Sequence, residues 1–198
     1  MKKTILGIIT TLMAVVVLSG CSMFAKANGV ILYGEEEEIL TAVEKEQEKK
    51  KKKDKPVEVE QHKIKILTND SQKVMILKEE TAQSLVNKKL IREITNSEKG
   101  KSEAVSSLSK VAKGEALLFT KEKSYELELE DIKIENKGNL IIGIGRAYAD
   151  MFLIVNDEDW VSLEGTEKTL ALLKYDKDPG KDGLDYDVEQ VQLVQIQD

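Results

Sequence analysis

The chain of 198 residues contains a single cysteine, Cys21. A single thiol cannot close an intramolecular disulfide, and it cannot supply the several thiolates of a cysteine-based metal site. Any domain that the chain forms must therefore be stabilised by its hydrophobic core alone. The length is sufficient for one domain with a substantial core.

The residues before Cys21 have the composition of a secretory signal peptide. Lys2 and Lys3 give a basic start, and residues 4–18 form an uncharged and mostly apolar run. A helix of fifteen residues is only about 22 Å long. A span across the hydrocarbon core needs about 20 residues. The run is therefore better explained as the apolar region of a signal peptide than as a permanent membrane span.

The run ends in Leu18-Ser19-Gly20-Cys21, which resembles the lipobox of bacterial lipoproteins at all four positions. The resemblance implies that residues 1–20 are removed and that the sulfur of Cys21 carries a diacylglyceryl group. It also implies a cell-membrane location on the extracytoplasmic face, with the lipid bilayer as a partner. Two acyl chains hold a protein far longer than one, because a single chain anchors only marginally. The alternative is an ordinary signal peptide in which Cys21 follows Gly20 by chance.

The charge balance excludes some classes of partner. The net charge is −6, and removal of residues 1–20 deletes two lysines and no acid, which leaves −8. Nucleic-acid binding relies on neutralising phosphates with basic side chains, so an acidic chain argues against it. Arg92 and Arg146 are the only arginines, which leaves little capacity for bidentate phosphate recognition.

The residues after the cysteine divide into two segments before the main domain. Residues 21–34 form a lipid-anchored exit segment, in which residues 30–33 are either a short strand or an apolar patch near the headgroups. Residues 35–56 place acids first and lysines last, the order that a helix macrodipole favours. We predict a charged, solvated helical stalk that ends before Pro56. The alternative for this segment is a lysine patch that touches anionic lipid.

Residues 57–198 are predicted to form a β-rich extracytoplasmic domain. Apolar and polar residues alternate with a period of two, as in half-buried strands, over much of this region. Two apolar stripes with spacings of three and four predict helices near residues 79–94 and 102–113. The predicted fold class is α+β: a mainly antiparallel sheet, closed as a barrel or packed as a sandwich, with two short helices.

Residues 140–155 are predicted to be the most buried stretch. One face of this stretch carries Gly143 and Gly145 with small neighbours, which predicts a close packing contact or a sharp bend. The two glycines match only half of a dinucleotide-binding fingerprint, because Tyr148 occupies the position of the third glycine and no helix start follows. We therefore interpret them as structural.

One loop has the ligand density of a calcium site. Counted from Asp178 as the first position, Asp182 falls at position five and Glu189 at position twelve, which resembles an EF-hand loop in part. The loop departs from that pattern at Gly180 and Asp185, and flanking helices are not predicted. The alternative is a solvated hairpin loop, in which Asp, Pro and Gly are common.

No cofactor other than this Ca²⁺ is predicted, and the remaining candidate chemistry is weak. His62 is the sole histidine, so a catalytic triad would have to use it. Asp150, Asp157, Glu158 and Asp159 are the acids nearest to a paired-carboxylate arrangement, but nothing in the sequence sets their separation. We predict that the protein is not an enzyme, with carboxylate-only catalysis left open.

The predicted function is that of a membrane-anchored, non-enzymatic binding or adaptor module. Its partner would be an envelope protein, a peptide or a wall component. The aromatic residues predicted to line a binding groove are Tyr148, Phe152 and Trp160. A second hypothesis is a β-barrel that encloses a small apolar ligand, with space left by Gly143 and Gly145. A calcium-binding surface protein is the third.

Overall fold

The architecture is taken from a computed structural model that describes residues 27–49, 54–98, 100–122, 125–182 and 184–197, with only the backbone at residues 181 and 182. Apolar, β-branched runs of the sequence form its strands. The strands are β1 (Gly29–Gly34), β2 (Glu58–Asn69), β3 (Gln72–Lys78), β4 (Ile91–Asn96), β5 (Lys101–Ala104), β6 (Glu115–Phe119), β7 (Lys133–Gly138), β8 (Leu140–Ile142), β9 (Met151–Val155), β10 (Thr166–Lys174) and β11 (Gln190–Val194). The helices are α1 (Glu36–Gln47), α2 (Glu79–Asn87) and α3 (Asp157–Ser162).

Eight strands form one sheet in the order β11-β1-β10-β2-β3-β9-β6-β7, and three form a second in the order β5-β4-β8. The pairings are antiparallel except for β3 with β9 and β6 with β7. The predicted α+β class with a mainly antiparallel sheet is confirmed, and the arrangement is that of a sandwich. The closed barrel is wrong, because β11 and β7 lie at opposite ends of the large sheet and no ladder joins them.

The large sheet is covered on both faces. On the first face, Ile31, Ile64 and Leu77 pack with the apolar side of α2 and with Ile91 and Ile142 of the small sheet. On the second face, one cluster joins β1 and β10 to α1, and another joins β3, β6 and β9 to Trp160 of α3. Burial on both faces explains why β1, β3 and β9 are almost continuously apolar rather than alternating.

The predicted stalk is the clearest difference between sequence and structure. The segment does form a helix, but α1 buries Ile39, Ala42 and Val43 against β1 and β10 instead of standing in solvent. Full burial of an Ile or Val side chain contributes about 1.5–3 kcal/mol, so even this short apolar stripe is enough to dock a helix. The folded domain therefore begins at β1 and not at residue 57, and residues 30–33 form a strand buried in the large sheet.

The two predicted helices also need correction. The first ends at Asn87 rather than residue 94, because Lys89 adopts a positive φ of 60° and the chain then enters β4. The second, predicted over residues 102–113, is wrong. Its first residues pair as β5 with β4, and the rest form irregular backbone that inserts Val111 into the core. Helix α3, which the sequence analysis did not predict, follows the Asn156 cap.

The prediction about the glycine face is confirmed at one of its two positions. Gly143 has a φ of +67°, and a Cβ atom there would lie 2.5 Å from Oε1 of Gln192 and 3.0 Å from a methyl group of Val194. No atom lies within 4 Å of a Cβ placed on Gly145. The close packing contact therefore belongs to Gly143 alone.

Among the described residues, no helix combines the length and the apolar character that crossing a bilayer requires.

Candidate functional site

An open groove of about 280 Å³ runs between α1 and the segment of residues 184–188, and we call it the α1 groove. One wall is the exposed side of α1 and the other is the segment that leads into β11. Four carboxylates and one lysine ammonium line it. The lining residues are Glu37, Glu38, Thr41, Ala42, Lys45, Asp185, Tyr186 and Asp187.

In the second wall, inward-facing and outward-facing side chains alternate along the chain. Leu184, Tyr186 and Val188 turn inward and pack against the cluster beneath α1, whereas Asp185 and Asp187 between them are exposed. A period of two places neighbouring side chains on opposite sides of an extended segment. The same residues that fix the segment to the domain therefore direct its two carboxylates outward.

A buried polar network holds the two walls in place. The hydroxyl of Tyr175 lies 2.8 Å from the carboxylate of Glu46 on α1 and 3.2 Å from the hydroxyl of Tyr186. Burial raises the pKa of Tyr175 and raises that of Tyr186 to about 12, so both phenols stay protonated at neutral pH. Lys45 completes the link by donating to the carbonyl oxygen of Asp185 at 3.4 Å.

A second polar cluster, which we call the Glu189 cluster, lies at the end of the groove where α1 begins. The hydroxyl of Tyr148 donates to Glu189 at 2.8 Å, and Lys168 binds both Glu189 and Glu35. Partial burial alone would raise the pKa of Glu189. Hydrogen bonds from Lys168 and Tyr148, with the charge of Lys73, outweigh burial and hold that pKa below its ordinary value.

The three aromatic residues predicted to line a groove are all buried. Tyr148 stacks on Tyr33 with ring centroids 4.5 Å apart, and Phe152 stacks on Phe119 at 4.9 Å. Trp160 belongs to a different cluster, on the opposite face of the large sheet. The cavity bordered by Tyr148 and Phe152 measures only about 10 Å³, roughly the space of one water molecule. These residues act in the core and form no shared exposed surface.

The predicted calcium ligands are only partly placed. Oδ1 of Asp178 accepts a hydrogen bond from the backbone N–H of Gly180 at 2.9 Å, and Glu189 lies in its own ionic cluster. The side chain of Asp182 lies outside the described residues. Within the part of the chain that the structure describes, no group of three or more His, Cys, Asp or Glu side chains is arranged to hold a metal ion. Calcium binding stays a prediction, and calorimetry with millimolar Ca²⁺ tests it.

The candidate catalytic carboxylates each have a structural partner. Asp150 accepts a hydrogen bond from the backbone of Lys73 at 2.7 Å. Asp157 accepts one from the backbone of Glu80 at 3.4 Å. Asp159 accepts one from the backbone of Gly114 at 2.7 Å, and Glu158 pairs with Lys113. His62, the sole histidine, lies 3.3 Å from Glu60 on the same strand. Cys21, the predicted lipidation site, lies outside the described residues.

Sequence reasoning did not find the α1 groove, although part of its signal was present. Tyr186 lies between Asp185 and Asp187 in the sequence, but the four glutamates of residues 35–38 predict only the start of a helix. The two walls are separated by about 140 residues, since Lys45 and Asp185 meet only in the folded chain. Nothing local in the sequence indicates that these segments are neighbours.

Residues 27–197 match the sequence model of a family described as an uncharacterised lipoprotein family. The chain belongs to this lipoprotein family. The match begins just before β1 and ends just after β11, so the family unit is the whole described domain, α1 included. A search of curated proteins found no match.

One solved structure supports the fold. It is the 1.5 Å crystal structure of a protein from Bacillus anthracis named as a candidate lipoprotein. The two chains share 22% sequence identity with a TM-score of 0.75, over 86% of this chain and 100% of the other. At 22% identity, the similarity shows that the two proteins share a fold. It does not indicate an activity for either of them.

Proposed function

We propose that the mature chain is a lipid-anchored, extracytoplasmic binding module whose α1 groove takes a basic segment of an envelope protein or peptide. The anchor is the diacylglyceryl group implied at Cys21 by Leu18-Ser19-Gly20-Cys21. Membership of a lipoprotein family supports an anchored protein. No catalytic step is part of the proposal.

The α1 groove carries the binding part of the proposal. It is concave, and its exposed carboxylates outnumber its single lysine by four to one. Protein pockets that bind small molecules usually span about 300–1,000 Å³ and enclose most of the ligand, whereas this groove is open. A smaller acidic groove is better suited to lysine or arginine side chains of a partner, which can lay their apolar stems against Ala42 and Tyr186. The barrel hypothesis has no comparable support, since the large sheet is open.

The groove is tested with a defined cationic probe. Fluorescence anisotropy of a labelled oligolysine peptide is measured with the chain from residue 21 onward, carrying Cys21→Ser to keep it in solution. Glu37→Gln and Asp187→Asn together remove two groove charges whose side chains make no hydrogen bond or ion pair in the described structure. Exposed ion pairs contribute about 0.2–1 kcal/mol each, so we expect affinity to fall about fivefold.

The matched control removes two exposed acids elsewhere, with Glu103→Gln and Glu115→Gln. This variant has the same net charge but should bind the peptide as the parent chain does. Equal losses in both variants would mean that the peptide senses only net charge, and the groove would lose its role. In cells, a photo-crosslinking residue at Thr41 should capture a recurrent partner that is missing when it is placed at the exposed Val161.

A further inference from the structure

The tether between the implied anchor and the folded domain is short. Asn28, just before β1, is the first residue that is hydrogen-bonded to the chain that follows two neighbouring strands, β10 and β11. Its side chain exchanges hydrogen bonds with the backbone of Ile196 at 2.9 and 2.7 Å, and its carbonyl accepts from the N–H of Tyr175 at 2.7 Å. Asn28 is seven positions after Cys21. An extended chain spans at most about 3.6 Å per position, or roughly 25 Å in total. Without a stalk, the domain is confined to the immediate neighbourhood of the bilayer.

Several segments meet at the end of the domain where the tether attaches. The last turn of α1 reaches it through the bond between Glu46 and Tyr175. The chain returns to it at Val57, whose N–H donates to the carbonyl of Lys174 at 2.7 Å, and α2 ends there beside Gln197. We call this end the anchor rim and define it by Asn28, Lys49, Lys55, Val57, Lys89 and Lys177.

The surface of the anchor rim suits a headgroup layer. Val57 is 56% exposed, and its end of the domain carries Lys49, Lys55, Lys89 and Lys177 together with the neighbouring acids Glu48, Asp54, Asp176 and Asp178. Apolar side chains flanked by lysines are favoured at the boundary between headgroups and acyl chains, and anionic lipids attract the lysines.

The opposite end of the domain is more acidic, although Lys63, Lys73 and Lys168 also lie there and pair with some of its glutamates. Helix α1 begins there with Glu36, Glu37 and Glu38, and Glu189 and Glu35 lie beside them. Two of the groove acids, Glu37 and Glu38, are in this first turn. An anionic bilayer repels this acidic end more strongly than the anchor rim, where lysines and acids are mixed, so charge and tether length favour the same orientation.

We propose that the anchor rim rests on the lipid headgroups and that the acidic end of the α1 groove, at Glu37 and Glu38, thereby faces away from the membrane. This inference rests on the lipid anchor of the proposed function. It assigns the bilayer as the partner of a particular surface, and it predicts that a partner reaches the groove from the side remote from the lipid.

The test uses the full lipidated chain in vesicles that contain phosphatidylcholine with a spin-labelled headgroup. Because Cys21 is acylated, a cysteine introduced elsewhere is the only thiol available for a fluorophore. Lys177→Cys and Asp176→Cys place the label at the anchor rim and remove opposite charges. Glu167→Cys places it at the far end of β10, whose nine residues span roughly 30 Å.

We expect the two rim labels to be quenched several-fold more than the label at position 167. We also expect rim quenching to increase when phosphatidylserine is added and to weaken in 0.5 M salt, because exposed charges are screened. Equal quenching at both ends overturns the orientation and leaves the anchor intact. If the chain does not incorporate into the vesicles, the proposed lipid anchor is refuted, and the proposed orientation is refuted as well.

Discussion

The hydroxyl of Tyr175 donates to the carboxylate of Glu46 across 2.8 Å in the interior, and this bond joins the strand end beside the tether to the last turn of α1. Glu46 is 4% exposed and Tyr175 is 4% exposed, so neither group exchanges its partner readily for water. The relationship explains why a segment with the composition of a solvated stalk is part of the folded domain.

Tyr175→Phe should therefore loosen α1. Loss of a hydrogen bond to a buried charged group costs about 1.5–3 kcal/mol, and we expect the free energy of unfolding in urea to fall by about 2 kcal/mol. Amide exchange of residues 39–46 should accelerate more than that of β3. Tyr125→Phe is the control, since its bond to Asn69 is only half-buried and water can replace it. Identical exchange in α1 before and after Tyr175→Phe would contradict the docking role.

Gly143→Ala and Gly145→Ala form a matched pair two residues apart. Gly143 combines a positive φ with a Cβ position only 2.5 Å from Gln192, so alanine there should destabilise the fold by about 1–3 kcal/mol. Gly145 faces open space and should tolerate alanine within about 0.5 kcal/mol. Thermal unfolding of both variants measures the difference. Equal effects would mean that the contact with Gln192 and Val194 does not constrain this turn.

Lys65→Met should remove the cap of α3. Nζ of Lys65 donates to the carbonyl oxygens of Trp160 at 2.9 Å and Leu163 at 2.6 Å, and the ammonium lies 4.5 Å from the centre of the Trp160 ring. A cation at a helix C-terminus is favourable, and buried carbonyls without donors are costly. We expect a loss of about 2–3 kcal/mol in urea unfolding, against almost no change for the exposed Lys133→Met. A stable Lys65→Met variant would show that α3 is held by Trp160 packing alone.

The Glu189 cluster predicts a pH-dependent contribution to stability. The pKa of Glu189 is lowered in the folded state from an ordinary value of 4.5. Its contribution is therefore present above pH 4.5 and is lost as the pH falls through the lower, folded value. About a third of the side chain is exposed, so we expect Glu189→Gln to cost only about 1 kcal/mol at pH 7. The cost should shrink towards pH 3, and a cost that is the same at both pH values would contradict the ionic origin.

Local patterns in the sequence predicted the parts of the fold that depend on local residues. The apolar runs at β1, β3 and β10 and the start of α2 at Glu79 follow from periodicity and charge. The parallel pairing of β3 with β9, and the order of eight strands, depend on contacts between residues far apart in the chain. The docking of α1 is not predictable from its short apolar stripe of Ile39, Leu40 and Val43, because nothing in the sequence continues that stripe and Leu40 is itself 42% exposed.

The candidate site was less predictable than the fold. Tyr148, Phe152 and Trp160 are the residue types that line binding grooves, but the same types fill cores, and burial decides between the two. The groove instead depends on exposed acids from two segments that meet only after folding. In the sequence, the acids of the groove have the same pattern as an ordinary solvent-exposed surface.

The most direct test of the account is the state of Cys21 in cells that express the full chain. Mass spectrometry of the membrane-extracted protein should show a chain that begins at Cys21 and carries a diacylglyceryl group, and Cys21→Ser should release the protein from the membrane fraction. A chain that retains residues 1–20, or a Cys21→Ser variant that stays bound to membranes, would contradict the lipid anchor and the binding module built on it.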